Sequence, residues 1–287
     1  PLHKPERELW YIDQRINSRG IKVDLDFVRN ADKIAGEYKE HVIAEMAKLT
    51  GLANPNSGAQ LCDWLGTDSV TKESVLDLLK VEKDPIRRRV LRLRQDANKT
   101  STAKYGRMLM SVNNDQRIRG LFQFGGAART GRWAGRLVQL QNLPQNHLED
   151  PAGVVDVLDR ARQIAKTGTT DEAELMFTNV SDTLSQLIRT SFIPETGKFF
   201  SVSDFSAIEA RVLAWVAGEQ WRLDVFRTHG KIYEASASAM FHIPLDQVDK
   251  DLRQKGKVAE LALGYQGGPN ALITMGALKK GLTEEEL

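Results

Sequence analysis

The chain has 287 residues, 41% hydrophobic and 27% charged, with a net charge of +2, which describes an ordinary globular protein with room for one large domain or two. No run of about 18 apolar residues occurs, so a transmembrane helix is excluded. The start, Pro1-Leu2-His3-Lys4, is no signal peptide and reads as the interior of a longer protein, while the single Cys62 excludes an internal disulfide or a cysteine zinc site and fits a reducing cytoplasm.

The first part of the chain reads as almost entirely helical. Glu8, Leu9, Tyr11, Ile12 and Ile16 recur at helical spacing, and Ser18-Arg19-Gly20 ends that helix. Ile21 to Asp24 is a short extended piece, and Asp24 or Asp26 caps a second helix reaching Leu49. Asn54-Pro55-Asn56-Ser57 is a turn. Ser57 is expected to cap a short helix holding Leu61, Cys62 and Trp64, and Lys72 to Val81 forms another. Asp84-Pro85 opens a long basic helix predicted to reach Met110. From Arg87 to Arg107 it carries Arg87, Arg88, Arg89, Arg92, Arg94, Lys99, Lys104 and Arg107 against Asp96 alone. Such an excess either neutralises phosphates or forms a solvated basic face.

The character then changes. Asp115 to Phe124 reads as strand or hairpin, and Gly125 to Arg132 is a Gly- and Arg-rich loop. Arg117, Arg119, Arg129, Arg132 and Arg136 follow one another with no acidic residue among them. Gln139 to Pro144 is extended and stopped by Pro144. Asp150 to Lys166 and Asp171 to Thr190 are predicted helices. Pro194-Glu195-Thr196-Gly197 is a turn feeding a strand from Phe199 to Asp204. Beyond Trp215 the chain is helical, with breaks near Gly218, at His229-Gly230 and at Ile243-Pro244.

Two groups of residues carry chemistry. The predicted strand delivers Asp204 to its end, with Glu209 on the first helical turn beyond it. One or two carboxylates at a sheet rim suit Mg²⁺ in phosphoryl transfer, where phosphates fill the other positions. Ser206 with Glu209 is equally a capping box. The second group is Arg253, Lys257, Leu261 and Tyr265, at four-residue steps. On a helix this row stays on one side, with successive members about 6 Å apart along the axis. That spacing lets two cations grip one polyphosphate while Leu261 and Tyr265 offer a surface to a base. A surface helix with solvated cations and a buried Leu261 fits the same pattern.

Three segments in order resemble motifs of the family A DNA polymerases, the kind found in bacterial DNA polymerase I and many phages. Thr130-Gly131-Arg132 with Gln141-Asn142-Leu143-Pro144 resembles the primer-template segment. Asp204-Phe205-Ser206-Ala207-Ile208-Glu209-Ala210-Arg211 resembles the first catalytic motif. Arg253-x-x-x-Lys257-x-x-x-Leu261-x-x-x-Tyr265-x-Gly267 resembles the nucleotide-binding fingers helix. Lys99-Thr100-Ser101-Thr102 resembles, in addition, the thumb tip. The likeness covers nearly the whole chain.

The resemblance implies a mostly α fold with a small antiparallel β palm sheet, forming a partial right hand: thumb over 1–112, partial palm over 113–215 and truncated fingers over 216–287. It implies template-directed DNA synthesis from dNTPs on a primer-template, with Mg²⁺ as cofactor, in the cytoplasm of a bacterial or phage-infected cell. Asp204 would ligate the catalytic metals with help from the Phe205 carbonyl. Glu209 would be a steric gate against the ribose hydroxyl. Arg253 and Lys257 would hold the triphosphate, Lys257 also protonating the leaving pyrophosphate, and Leu261 and Tyr265 would pack near sugar and base. Arg132, Gln141 and Asn142 would read the minor-groove edge, and Lys99 and Thr102 would touch backbone phosphate.

The chain departs from the family pattern in three places. Leu261 stands where Phe or Tyr is usual, and Tyr233 where many members carry His. No His-Asp-Glu palm hairpin with the second catalytic Asp occurs before Leu287, and His147-Leu148-Glu149-Asp150 has the wrong order to replace it. The isolated chain is therefore expected to be nearly inactive and to need a polypeptide or further segment supplying that hairpin. The alternative is a non-catalytic primer-template DNA-binding module.

Overall fold

Asp24 marks where an extended piece becomes a helix. Its carboxylate accepts the Phe27 amide at 3.2 Å, and the helix Leu25–Thr50 runs for 26 residues until Gly51 ends it in the left-handed region (φ 71°). At 1.5 Å per residue this is a rod of about 39 Å. Its buried side chains, Phe27, Val28, Ala31, Ile34, Val42 and Met46, form one apolar stripe. The computed structural model describes residues 3–148, 156–264, 267–278 and 282–283. The chain divides into two units, Pro1–Phe200 and Ser201–Leu287.

The first unit is built around that rod. In chain order it contains α1 (Lys4–Arg19), β1 (Ile21–Lys22), the rod α2, α3 (Gly58–Leu65), α4 (Lys72–Val81), α5 (Pro85–Ala97), α6 (Ala103–Ser111), β2 (Arg117–Ile118), β3 (Phe122–Gln123), β4 (Ala134–Gly135), α7 (Val157–Thr167), α8 (Thr170–Met176) and α9 (Val180–Leu187). The N-terminal half of α2 packs on Tyr105 and Met108 of α6 and on Leu184 and Leu187 of α9. Its C-terminal half packs on Leu61 and Leu65 of α3, Val75 of α4 and Val90, Leu91 and Leu93 of α5. The strands form two antiparallel ribbons, β1 with β2 (Ile21 opposite Ile118) and β3 with β4 (Phe122 opposite Gly135).

The second unit contains α10 (Ile208–Ala217), α11 (Gln220–Thr228), α12 (Ile232–Phe241), α13 (Lys250–Leu263) and α14 (Pro269–Thr274). Val258, Ala262, Leu272, Ala277 and Leu282 make its core. Helices α12 and α13 approach closely because Gly256 has no side chain. A Cβ there would lie 2.2 Å from the Tyr233 carbonyl oxygen and 3.1 Å from the Ala237 Cβ. The chain is thus mostly α with small antiparallel sheets, as expected.

Local expectations change where a tertiary partner decides. The long basic helix is two helices, with one 3-10 turn, Thr100–Thr102, between α5 and α6. There the Thr102 hydroxyl donates to the Lys99 carbonyl at 3.2 Å, and Ser101 bonds Ser185 at 2.7 Å, drawing the backbone out of the α ladder. Ser57 sits at the start of α3 but its side chain caps nothing. β2 and β3 do not pair with each other. Gln139 is left-handed (φ 54°) and Leu140–Asn142 is a 3-10 turn rather than extended. The helix expected over 171–190 breaks before Asn179, whose side chain accepts the Asp182 amide at 2.7 Å and starts α9. α7 begins at Val157; residues 150–155, expected as its first turns, lie outside the described residues.

The strand expected from Phe199 to Asp204 does not form. Among the described residues this segment has no ladder partner, and a lone strand leaves its backbone groups unpaired. Phe199 and Val202 are 85% and 90% exposed. The capping box is also displaced: α10 begins at Ile208, and Ala207, left-handed at φ 49°, takes the cap position in place of Ser206.

Candidate nucleotide site and nucleic-acid interface

Helix α13 starts where the Asp249 carboxylate accepts the amides of Asp251 and Leu252 at 3.0 and 2.8 Å. Gly256, Val258, Ala259, Glu260 and Ala262 are buried, while Arg253, Lys257 and Leu261 form a half-buried flank. The first three members of the predicted row therefore lie as a stripe on one side of a packed helix. Arg253 is not a free cation. Its Nε donates to Glu234 of α12 at 2.9 Å, and its guanidinium lies 5.4 Å from the Tyr233 ring centroid. Lys257 makes no ion pair among the described residues. Tyr265, the fourth member of the row, lies outside them.

Beneath that stripe sits a buried carboxylate. Glu260 is paired with Arg222 of α11 and accepts the Ser236 hydroxyl of α12. Arg222 also meets Glu219 at 2.6 Å and lies 4.8 Å from the Trp221 ring centroid. One side chain thus ties three helices under the residues that carry Arg253 and Lys257. Glu260 carries no local sign of this role, since its partners are 38 and 24 residues away.

Asp204 and Phe205 are exposed in an irregular segment, and Glu209 is exposed on the first turn of α10. Just beyond, Arg211 folds back: its Nε donates to the Ser206 carbonyl at 2.8 Å and its guanidinium lies 4.4 Å from the Phe226 ring centroid of α11. Among the described residues no group of three or more His, Cys, Asp or Glu side chains is placed to hold a metal ion.

In the first unit, most of the predicted basic excess is internal structure. Arg88 donates to the Leu79 and Glu82 carbonyls at 2.7 Å each, Arg89 makes a two-pronged pair with Glu45, Arg94 holds the Asn56 carbonyl at 2.7 Å, and Lys104 donates to the Val138 carbonyl at 2.8 Å. Arg87 meets Glu82 at 3.9 Å and stacks over Trp64. Arg88, Arg94 and Lys104 thus serve backbone carbonyls, while Arg87 and Arg89 stay exposed and are paired with carboxylates. Arg92 and Arg107 are exposed and make no ion pair among the described residues.

Lys99 is ion-paired with Asp182 of α9. Burial pushes the Asp182 carboxyl up, but hydrogen bonds from Lys99 and Gln186 outweigh it and hold it below the usual carboxylate range. The pair borders a cleft of about 440 Å³ lined also by Lys72, Arg94, Asn98 and Thr100. Thr102 is half-buried in the adjoining 3-10 turn.

The remaining predicted duplex residues gather on one feature. The β3–β4 hairpin carries Arg129 and Arg132 in its loop and Arg136 just past β4. The loop is closed by the Ala127 amide donating to the Arg132 carbonyl at 3.0 Å, and Gly131 turns in the left-handed region (φ 64°). Gln141 packs where a side chain on Gly135 would sit: a Cβ there would meet the Gln141 amide nitrogen at 2.1 Å. Gln141 and Asn142 are exposed, so polar groups from the loop and the following 3-10 turn share this surface. Arg117 and Arg119 take no part, being held by Glu195 and Asp115 at 2.6 Å each.

Comparison with known proteins places these features in a family. The family model described as DNA polymerase family A matches residues 39–280. The DNA polymerase of Bacillus phage SP02 is 55% identical over 289 residues, covering 98% of this chain and 44% of that protein. The thermostable DNA polymerase I of Thermus aquaticus is 26% identical, covering 91% of this chain and 29% of that protein. The chain therefore spans less than half the length of these relatives. Among solved structures, the POL domain of Pol1 from M. smegmatis, in complex with DNA primer-template and dNTP, is similar over 93% of this chain and 42% of that one, with a TM-score of 0.63 at 21% identity, a likeness of fold. No helix among the described residues is long and apolar enough to cross a membrane. With most of its length matched by the family model, and with a phage relative identical at more than half of the aligned positions, the chain belongs to DNA polymerase family A.

Proposed function

We propose that this chain supplies the thumb (1–112), part of the palm (113–215) and the fingers (216–287) of an enzyme that extends a primer 3′-hydroxyl with dNTPs on a DNA template. The observation that carries the reading is the α13 stripe. Arg253, oriented by Glu234 and Tyr233, and the adjacent Lys257 present two cations on the same flank as Leu261. Two cations about one helical turn apart match neighbouring phosphates of a triphosphate. Lys257 is then the proton donor to pyrophosphate, and Leu261 with Tyr265 packs the sugar and base. Glu209 acts as the gate against a ribose hydroxyl. Lys99, Thr102, Arg132, Gln141 and Asn142 hold the duplex by backbone and minor-groove contacts.

Asp204 and the Phe205 carbonyl are the metal-facing groups in this reading, and Mg²⁺ bound there would activate the primer hydroxyl. In this reading the second catalytic Asp comes from a palm hairpin carried by a second polypeptide or a further segment. The alternative reading is a primer-template-binding module without catalysis. The two are separated by primer extension with a polypeptide carrying the palm hairpin added. Extension that appears and is abolished by Asp204→Ala supports the enzyme. Duplex binding with no extension under any such complementation supports the module. Extension by the purified chain alone at ordinary polymerase rates would refute the need for a partner.

A further inference from the structure

An isolated two-stranded hairpin is marginal in water, and the β3–β4 hairpin has two residues in each strand. What fixes it comes from α1. The Asn17 carboxamide donates to the Phe122 carbonyl at 2.9 Å and accepts the Phe122 amide at 2.9 Å, so one side chain replaces a neighbouring strand for that residue. The Asn17 carbonyl accepts the Gly120 amide at 3.2 Å at the entry to β3. One turn earlier, Asp13 accepts the Trp133 indole N–H at 2.8 Å, and Trp133 meets Phe124 edge-on across the ribbon at 5.5 Å. Asp13 is 3% exposed on a helix whose other side chains are largely exposed. A buried carboxylate there requires partners; the Trp133 indole of the hairpin serves one oxygen and the neighbouring Gln14 amide, at 3.1 Å, the other. Asp13 and Asn17 lie four residues apart and so share one face.

We propose that Asp13 and Asn17 are positioning residues for nucleic-acid binding: they lock the hairpin so that Arg129 and Arg136 meet duplex phosphates while Arg132 faces the minor-groove edge. The clamp lies before residue 39, outside the stretch the family model matches. The proposal rests on the reading that this hairpin contacts the duplex.

The test measures binding of a fluorescein-labelled primer-template to the full 287-residue chain across salt concentrations, with hydrogen exchange of the Phe122 amide alongside. Arg129→Ala with Arg136→Ala tests the underlying reading and is expected to flatten the plot of log K against log salt by about 0.9 for each phosphate no longer neutralised. Asn17→Ala is expected to speed Phe122 exchange, weaken binding about tenfold and flatten the same plot by about 1. A fold-wide loss of stability would lower binding at every salt concentration without changing the slope. Trp133→Phe, which keeps an aromatic ring and removes the N–H that Asp13 accepts, should do the same and serves if Asn17→Ala misfolds. Faster Phe122 exchange with unchanged affinity and slope in the Asn17 variant would overturn the positioning role alone. Unchanged binding in the arginine double variant would overturn the duplex reading, and the positioning role with it.

Discussion

Lys99 and Asp182 form an ion pair between the turn that follows α5 and the first turn of α9, across 83 residues of sequence. The pair pins the Thr100–Thr102 turn, and it sets a charge balance at the place where duplex binding is proposed. Lys99 is about one-third exposed, so its ammonium is divided between an internal carboxylate and any external phosphate.

Asp182→Asn keeps the oxygen that accepts from Gln186 but removes the charge on Lys99's partner. If Lys99 meets phosphate, the variant should bind primer-template more tightly, with a salt slope steeper by up to about 0.9. Fluorescence anisotropy across a salt series checks this. An unchanged slope would make Lys99 a structural cation only.

Glu260 offers a stability test in the second unit. Glu260→Ala strands the half-buried Arg222 guanidinium with Glu219 as its remaining counter-ion and should cost about 3 kcal/mol, the lower end for breaking a buried pair. Denaturant unfolding measures it. A cost under about 1 kcal/mol would show that Glu219 alone suffices.

Gly256→Ala forces a methyl against the Tyr233 carbonyl, where the unshifted separation is 2.2 Å. Helices α12 and α13 must part, at about 1 to 3 kcal/mol. Because Arg253 is oriented by residues of α12, dNTP affinity should fall along with stability. Equilibrium dialysis of a dNTP, beside a thermal melt, reports both.

Glu195 links the turn after the first unit's last helix to β2. Hydrogen bonds from Lys198 and then Arg117 hold its carboxyl down at about 2, against an ordinary value of 4.5. A lowered folded-state value means the unfolded chain takes up protons first, so the contribution is complete above pH 4.5 and is lost as pH falls towards 2. The melting temperature of the chain should exceed that of Glu195→Gln at neutral pH, and the gap should close over that acid range. Lys198 is solvent-exposed, so added salt should shrink its share of the difference as well.

Much of the helical framework is legible in the sequence because local patterns determine it. The apolar period of α2 with Asp24 at its start, the Lys72–Val81 helix, and the α13 row each depend on neighbours a few residues away. The segment before Asp204 looks like a strand in sequence and is not one, because an apolar run gives a strand only when a ladder partner exists, and none does among the described residues. The basic residues of α5 differ from expectation for a related reason. Whether a guanidinium meets solvent or a carbonyl depends on what packs beside it, as Arg88 and Arg94 demonstrate.

The sequence alone determined much of the helical framework, the spacing of Arg253, Lys257 and Leu261, and the family to which those motifs belong, since all of these are written in short-range order. Only the tertiary structure decided which charges are engaged and which are presented. It gave Arg253 to Glu234, Lys99 to Asp182, and the arginine hairpin to Asp13 and Asn17. Each of these partners lies far along the chain or on another element. Hydrogen bonds and ion pairs act over about 3 Å of space whatever the separation in sequence.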